Sequence, residues 1–169
     1  RNLVDRYKGM DMEMIVSDLD QNGVMLEIAI ENLERDFNMG TIVRSANAFG
    51  VRTVHVIGRK QWNKRGAMMT DKYLHVSYHL SVEEFVEKTK GKSLIAIDNV
   101  EGAQMLAATS LPRDAVLVFG AEGPGISQEL RAKCEKTVAI EQFGSTRSIN
   151  VGVAAGIAMY AWLKQNAMP

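Results

Sequence analysis

Cysteine is almost missing from this chain: Cys134 is the only one in 169 residues. That excludes an internal disulfide and any metal site built from several thiolates, and it fits a reducing, cytoplasmic compartment. The plain role of such a thiol is that of a small apolar residue. No apolar run approaches the roughly 18 residues that a membrane span needs, and the opening residues do not read as a signal peptide. An excess of one charge is missing too. Twenty Lys and Arg balance twenty Asp and Glu, which argues against coating nucleic acid by bulk charge but not against a local patch. Internal repeats and low-complexity tracts are absent. His55, His75 and His79 lack metal-ligand spacing, so no metal is expected.

What is present suffices for one domain with a short appendage. A chain of this size buries roughly 70% of its unfolded surface without disulfide help. Residues 1–20 mix charges with Leu3, Val4, Tyr7, Met14 and Ile15, and read as a helical arm; the domain proper occupies 21–169. Asp20-Gln21-Asn22-Gly23 signals a turn. Short apolar runs at Val24–Ile30, Thr53–Ile57, Ser93–Ile97, Ala115–Phe119 and Thr137–Ile140 read as buried strands. Helical patterns fall between them: Gly40 to Gly50, Val82–Lys90, Ser127–Cys134 with Ser127 as N-cap, and Asn150–Gln165. This alternation predicts an α/β fold, a mostly parallel sheet with helices on both faces. Ligands of such sheets bind beyond the carboxyl ends of the strands.

Three loops carry unusual chemistry. In NLERDFNMGTIVRSANAFG (32–50), Asn38 stands before a helix and Arg44 lies six residues on. At about 100° per residue they are about 240° apart, so they share a site only if Asn38 belongs to the loop. Arg44 is a ligand-binding cation or an ordinary surface arginine. In FGAEGPGIS (119–127), three glycines let backbone approach a ligand closely. The spacing matches neither a P-loop nor a dinucleotide fingerprint, which lowers ATP and NAD in rank. Glu122 is a ligand contact or a helix-side charge. In IEQFGSTRSIN (140–150), Asn150 can cap the last helix, while Arg147 and the serines exceed what a cap requires. Separately, Arg52, Arg59, Lys60, Lys64, Arg65 and Lys72 surround Trp62 and Tyr73. This is either a solvated segment or a phosphate-tracking surface with stacking positions.

Taken together, these loops resemble the SpoU/TrmH family of RNA 2′-O-ribose methyltransferases, within the knotted SPOUT class. Asn38–Arg44–Gly50 is similar to its first motif, Phe119–Gly125 to its second, and SINVGVA (148–154) to its third. The resemblance runs from about Val24 to Trp162. It implies a C-terminal trefoil knot, S-adenosyl-L-methionine as cofactor, and a homodimer whose sites are shared between subunits. It assigns Arg44 to catalysis, with Asn38, Glu122, Ser148 and Asn150 around the substrate ribose. Loops matching Ala96–Asn99, Phe119–Gly125 and Ile140–Ile149 would hold the cofactor, with Ala96, Ile97, Asp98, Phe119, Gly120, Gly125, Ile140 and Ile149 as binding positions. Two departures stand out: Ile149 replaces Leu, and Gly152 replaces Ser.

The family reading also makes Arg44 the base. A guanidinium stays protonated in proteins, so Arg44 is expected instead to hold a phosphate and stabilise the developing oxyanion. About 20 residues precede the first strand, so RNA recognition is expected from the domain itself, through Arg52, Lys64, Arg65 and Arg147. That favours tRNA over rRNA as partner. Two rival readings stand beside this one: a catalytically inactive RNA-binding module of the same fold, and a base-nitrogen RNA methyltransferase.

Overall fold

Among the described residues, seven short segments, most of them rich in Val, Ile, Leu and Ala, pair side by side as parallel strands. They are β1 (Glu27–Asn32), β2 (Thr53–Gly58), β3 (His75–His79), β4 (Ser93–Ile97), β5 (Gln104–Met105), β6 (Ala115–Phe119) and β7 (Lys136–Ala139). Their order in the sheet is β3-β2-β1-β6-β4-β7-β5. The structure, a computed structural model, describes residues 3–33, 38–121 and 123–169. Register is set by continuous apolar pairs such as Ile28 with Leu117, Ile30 with Phe119, and Ile95 with Leu117. β6 is buried at all five positions, as expected for a strand covered on both faces.

Side chains alternate across the sheet and build two apolar layers. On one face, Ile28, Ile30, Ile95, Leu117 and Phe119 pack with α2 (Asn38–Ala48) and α5 (Val151–Asn166) through Ile42, Val43, Ala155, Met159 and Trp162. On the other, Ala29, Ile57, Ala96, Val116 and Val118 pack with α3 (Val82–Lys88) and α4 (Gln128–Lys133) through Phe85 and Leu130. Each fully buried Leu, Ile or Phe contributes roughly 1.5–3 kcal/mol of transfer free energy. Ser127 caps α4, accepting a hydrogen bond from the Leu130 amide. Asn150 caps α5 by accepting from Gly152 and Val153.

The structure corrects the sequence reading in four places, one of them β5, whose two exposed residues make no apolar run. β3 was not anticipated, because HVSYH has little apolar character; it is an edge strand that pairs only with β2. Residues 20–22 are helical rather than a turn. Asp11 caps α1 (Met12–Asn22), and the helix ends at Gly23. Val24 makes only an isolated bridge to Val51, so the first strand starts at Glu27.

No described helix is long and apolar enough to cross a membrane. Among the described residues, no group of three or more His, Cys, Asp and Glu is arranged to hold a metal ion.

Candidate active site

Because β6, β4 and β7 are neighbours, their carboxyl ends stand side by side. The loops leaving those ends line an open cleft of about 110 Å³. Its apolar wall includes Ile97, Phe119, Ile140 and Ile149, and its polar groups include Asp98, Asn99, Gln142 and Ser148. The glycine loop folds tightly on itself. Gly125 donates its amide to the Ala121 carbonyl at 3.0 Å. A Cβ on Gly120 would lie 2.2 Å from the Gly125 carbonyl carbon, so only glycine permits this crossing. Gly125 itself has φ +72° and sits where a Cβ would meet Asp98.

Side chains pin the three loops to one another. Asp98 Oδ2 accepts from the Ile126 amide at 3.2 Å. Asn99 Nδ2 donates to Gln142 Oε1 at 3.1 Å and to the Arg147 carbonyl at 2.8 Å. Glu31, at the carboxyl end of β1 and 2% exposed, accepts from the Ser127 amide at 2.7 Å and from the Ser127 hydroxyl at 2.6 Å. Glu31 was missed in the sequence, because its partner Ser127 lies 96 residues away; Asn99 and Gln142 fall in loops expected to hold the cofactor but were not singled out.

A polar pair stands at the junction of α2 and α5. Asn150 Nδ2 donates to Asn38 Oδ1 at 2.9 Å, although 112 residues separate them. Asn150 lies between Ile149 and Val151, both of which line the cleft. Its Oδ1 is committed to capping α5, at 2.9 Å from the Gly152 amide and 3.1 Å from that of Val153. Gly152 has a steric role here. A Cβ would lie 3.0 Å from Asn150 Oδ1 and 3.2 Å from Thr41 Cγ2, so glycine lets the two helices close on each other.

Asn38 is the first residue of α2 rather than a loop residue, so it and Arg44 face different ways. Arg44 is exposed and does not line the cleft. Among the described residues, nothing bonds its guanidinium. Ile97, Asp98, Phe119, Gly120, Gly125, Ile140, Ser148 and Ile149 all line the cleft. Ala96 does not: strand alternation turns it to the opposite face, into the layer with Phe85. Glu122 lies outside the described residues.

The basic segment also needs correction. Arg52 is buried; its Nε donates to Asp20 Oδ1 at 2.8 Å and its Nη2 to the Tyr73 carbonyl at 2.5 Å, so it anchors α1 and faces no RNA. Its partner Asp20 is held below the ordinary carboxylate range; burial opposes this, and the bonds from Arg52 and His75 outweigh it. Trp62 is buried with Nε1 bonded to the Tyr78 hydroxyl, so it offers no stacking face. Lys64 lies 3.5 Å from Asp71. Arg59, Lys60, Arg65, Lys72 and Arg147 stay exposed. The short turn Arg65–Ala67 packs on the start of α2. A Cβ on Gly40 would lie 2.8 Å from the Ala67 nitrogen, so glycine there lets the turn close on the helix.

A protein-family model described as the SpoU rRNA Methylase family matches residues 25–160. The chain belongs to that family. Among curated SpoU relatives, it is similar to the tRNA (guanosine(18)-2′-O)-methyltransferase of Escherichia coli strain K12. The two are 26% identical over 145 residues, covering 83% of this chain and 63% of the relative, so this chain spans under two thirds of that protein's length. Among solved structures, a chain from work on 2-OH methylation of C/U34 on tRNA superposes with TM-score 0.74. That match is 26% identical and covers 83% of this chain and 95% of the other. The SpoU methyltransferase AviRb of Streptomyces viridochromogenes, in complex with the cofactor AdoMet, shares the fold with TM-score 0.73 at 24% identity, over 82% of this chain and 57% of that one.

Proposed function

We propose that this SpoU-family chain transfers a methyl group from S-adenosyl-L-methionine to a ribose 2′-hydroxyl of RNA. One observation carries the reading: the Asn38–Asn150 pair is joined, through Ile149 and Val151, to the wall of the cleft formed by the loops after β4, β6 and β7. That cleft fits a nucleoside-bearing cofactor. Ile97, Phe119, Ile140 and Ile149 offer an apolar slot for a heteroaromatic ring, and the glycine loop offers close backbone. When bound, S-adenosylmethionine supplies a methyl on a sulfonium, and the S–CH3 electron pair stays on the departing sulfur.

The chain's own residues then have two tasks. Ser148, Asn38 and Asn150 orient the ribose so that O2′ forms the new O–CH3 bond in line; such alignment can contribute roughly 7–11 kcal/mol. Arg44 holds a phosphate beside the target and stabilises charge developing on O2′. The O2′ proton passes to a phosphate oxygen held by that arginine.

Arg44 stands away from the cleft of its own chain, which supports a homodimer in which it serves the partner's site. Val153, Ile157 and Tyr160 leave an apolar stripe exposed on α5, beside α2, as the seam of such a dimer. The reading includes a trefoil knot in which residues 140–149 thread the loops they are bonded to; the N-terminal arm is not a separate unit at residue 20, since α1 runs on to Asn22 and Arg52 ties it to the domain through Asp20. The reading also includes a cytoplasmic setting, in keeping with the single cysteine. Similarity to a chain from work on 2-OH methylation of C/U34 on tRNA, 95% of which is covered, supports tRNA over rRNA as substrate.

The test is methyl transfer from labelled S-adenosylmethionine to bulk RNA, followed by nuclease digestion and mass spectrometry. Label on 2′-O-methyl nucleosides is expected. Label on base nitrogens would establish the base-methylation reading instead, and no label would leave an RNA-binding module. Mixing Arg44→Ala and Asn150→Ala chains should restore part of the activity if sites are shared.

A further inference from the structure

Phe143 is 97% exposed, more than any other large apolar side chain among the described residues. It stands on the tip Phe143–Arg147, exposed at every position, whose two feet, Gln142 and Ser148, both line the cleft. The tip has a fixed shape. Gln142 Nε2 closes it by donating to the Thr146 carbonyl at 3.0 Å, and Asn99 fastens it to the body through the Arg147 carbonyl. Such bracing holds a ring in water that gains nothing there.

We propose that Phe143 is a stacking platform for an unpaired base of the RNA substrate, with Arg147 gripping the adjacent phosphate. The proposal rests on the methyltransfer reading above and narrows its substrate class to nucleotides in loops or single strands. An open π-face, a free guanidinium and small hydroxyls are the composition that recognises unstacked nucleotides. One ring flanked by Gly144, Ser145 and Thr146 is too small and too polar for the core of a subunit interface, and α5 already offers a larger apolar surface. A duplex hides its base faces and has nothing to place on the ring.

The test uses the full chain with three labelled probes: a short oligoadenylate, a strand of equal length made of abasic nucleotides, and an RNA duplex. Phe143→Leu keeps apolar bulk but removes the π-face. It should weaken oligoadenylate binding by roughly 5- to 100-fold. It should leave the abasic strand, the duplex, calorimetric S-adenosylmethionine binding and the sedimentation mass unchanged. Phe143→Trp should restore oligoadenylate binding. Unchanged oligoadenylate affinity in Phe143→Leu, an equal loss on the abasic strand, or a fall in sedimentation mass (the mark of a subunit contact) overturns the proposal alone. A wild-type chain that binds the donor but none of the RNAs overturns both. Phe143-dependent RNA binding without donor binding upholds the platform and removes the methyltransfer reading.

Discussion

The carboxyl-end loops and the β1-β2-β3 half of the sheet use their polar groups differently. At the carboxyl ends of β1, β4 and β7, Glu31, Asp98, Asn99 and Gln142 each bond to the main chain of another loop or of the tip that follows. In the β1-β2-β3 half, one network runs from side chain to side chain. Glu27 lies 2.6 Å from His55, His55 lies 2.9 Å from His79, and Lys92 closes on Glu27 at 2.8 Å. The edges of both imidazoles pack with Phe85, on the face away from the cleft. The first arrangement shapes backbone around a ligand. The second joins polar groups within a layer of core, leaves His79 Nδ1 without a partner among the described residues, and does not touch the cleft.

Substitutions can break or sharpen that contrast. The largest effect is expected at Arg44. Arg44→Ala should lower the single-turnover methylation rate, with RNA saturating, by about 10²–10³-fold, with no shift in the thermal midpoint; an unchanged rate would remove Arg44 from the mechanism. Next comes Glu27→Gln. Loss of the carboxylate leaves His55 and Lys92 underbonded, so chemical denaturation should show a loss of about 1–3 kcal/mol, while activity below the melt is retained. Lost activity with intact stability would show that the two regions are not separable.

A smaller effect follows from His79, held below its ordinary 6.5 by burial and then by the charge of His55, with Lys88 adding to this and Glu84 of α3 opposing it. The native state resists its protonation while the unfolded chain accepts it. Its contribution is therefore complete above pH 6.5 and is lost as pH falls through the lower native value. Glu27 is also depressed, because bonds from His55 and Lys92 outweigh its burial, but its contribution is lost only below about pH 4.5. Thermal midpoints should fall from pH 6.5 downward, less steeply in His79→Gln. The smallest effect is at Cys134, whose thiol is pushed up to about 12 by burial and by Glu31. Iodoacetamide at pH 8 should label it only after unfolding; rapid native labelling would show that this layer opens.

Much of the frame was legible because apolar runs such as AVLVF and SLIAI have one physical use in a chain of this length. β3 was not, since an edge strand needs too little apolar character to stand out. Nor was the fate of Arg52: its partner Asp20 is 32 residues away, and a run of cations looks alike whether solvated or bonded. Trp62 misled for the same reason, as its burial depends on Tyr78 across the fold. The cleft residues were legible through motif resemblance. The Glu31–Ser127 clamp and the Gly40–Ala67 contact arise only once the sheet has brought distant loops together.

The most direct measurement is a crystal structure of the chain grown with S-adenosylhomocysteine, the demethylated form of the proposed donor. Density is expected between Phe119, Ile140 and Ile149, with the sulfur directed toward the Asn38–Asn150 pair. The ligand bound at any other place on the chain would contradict the account.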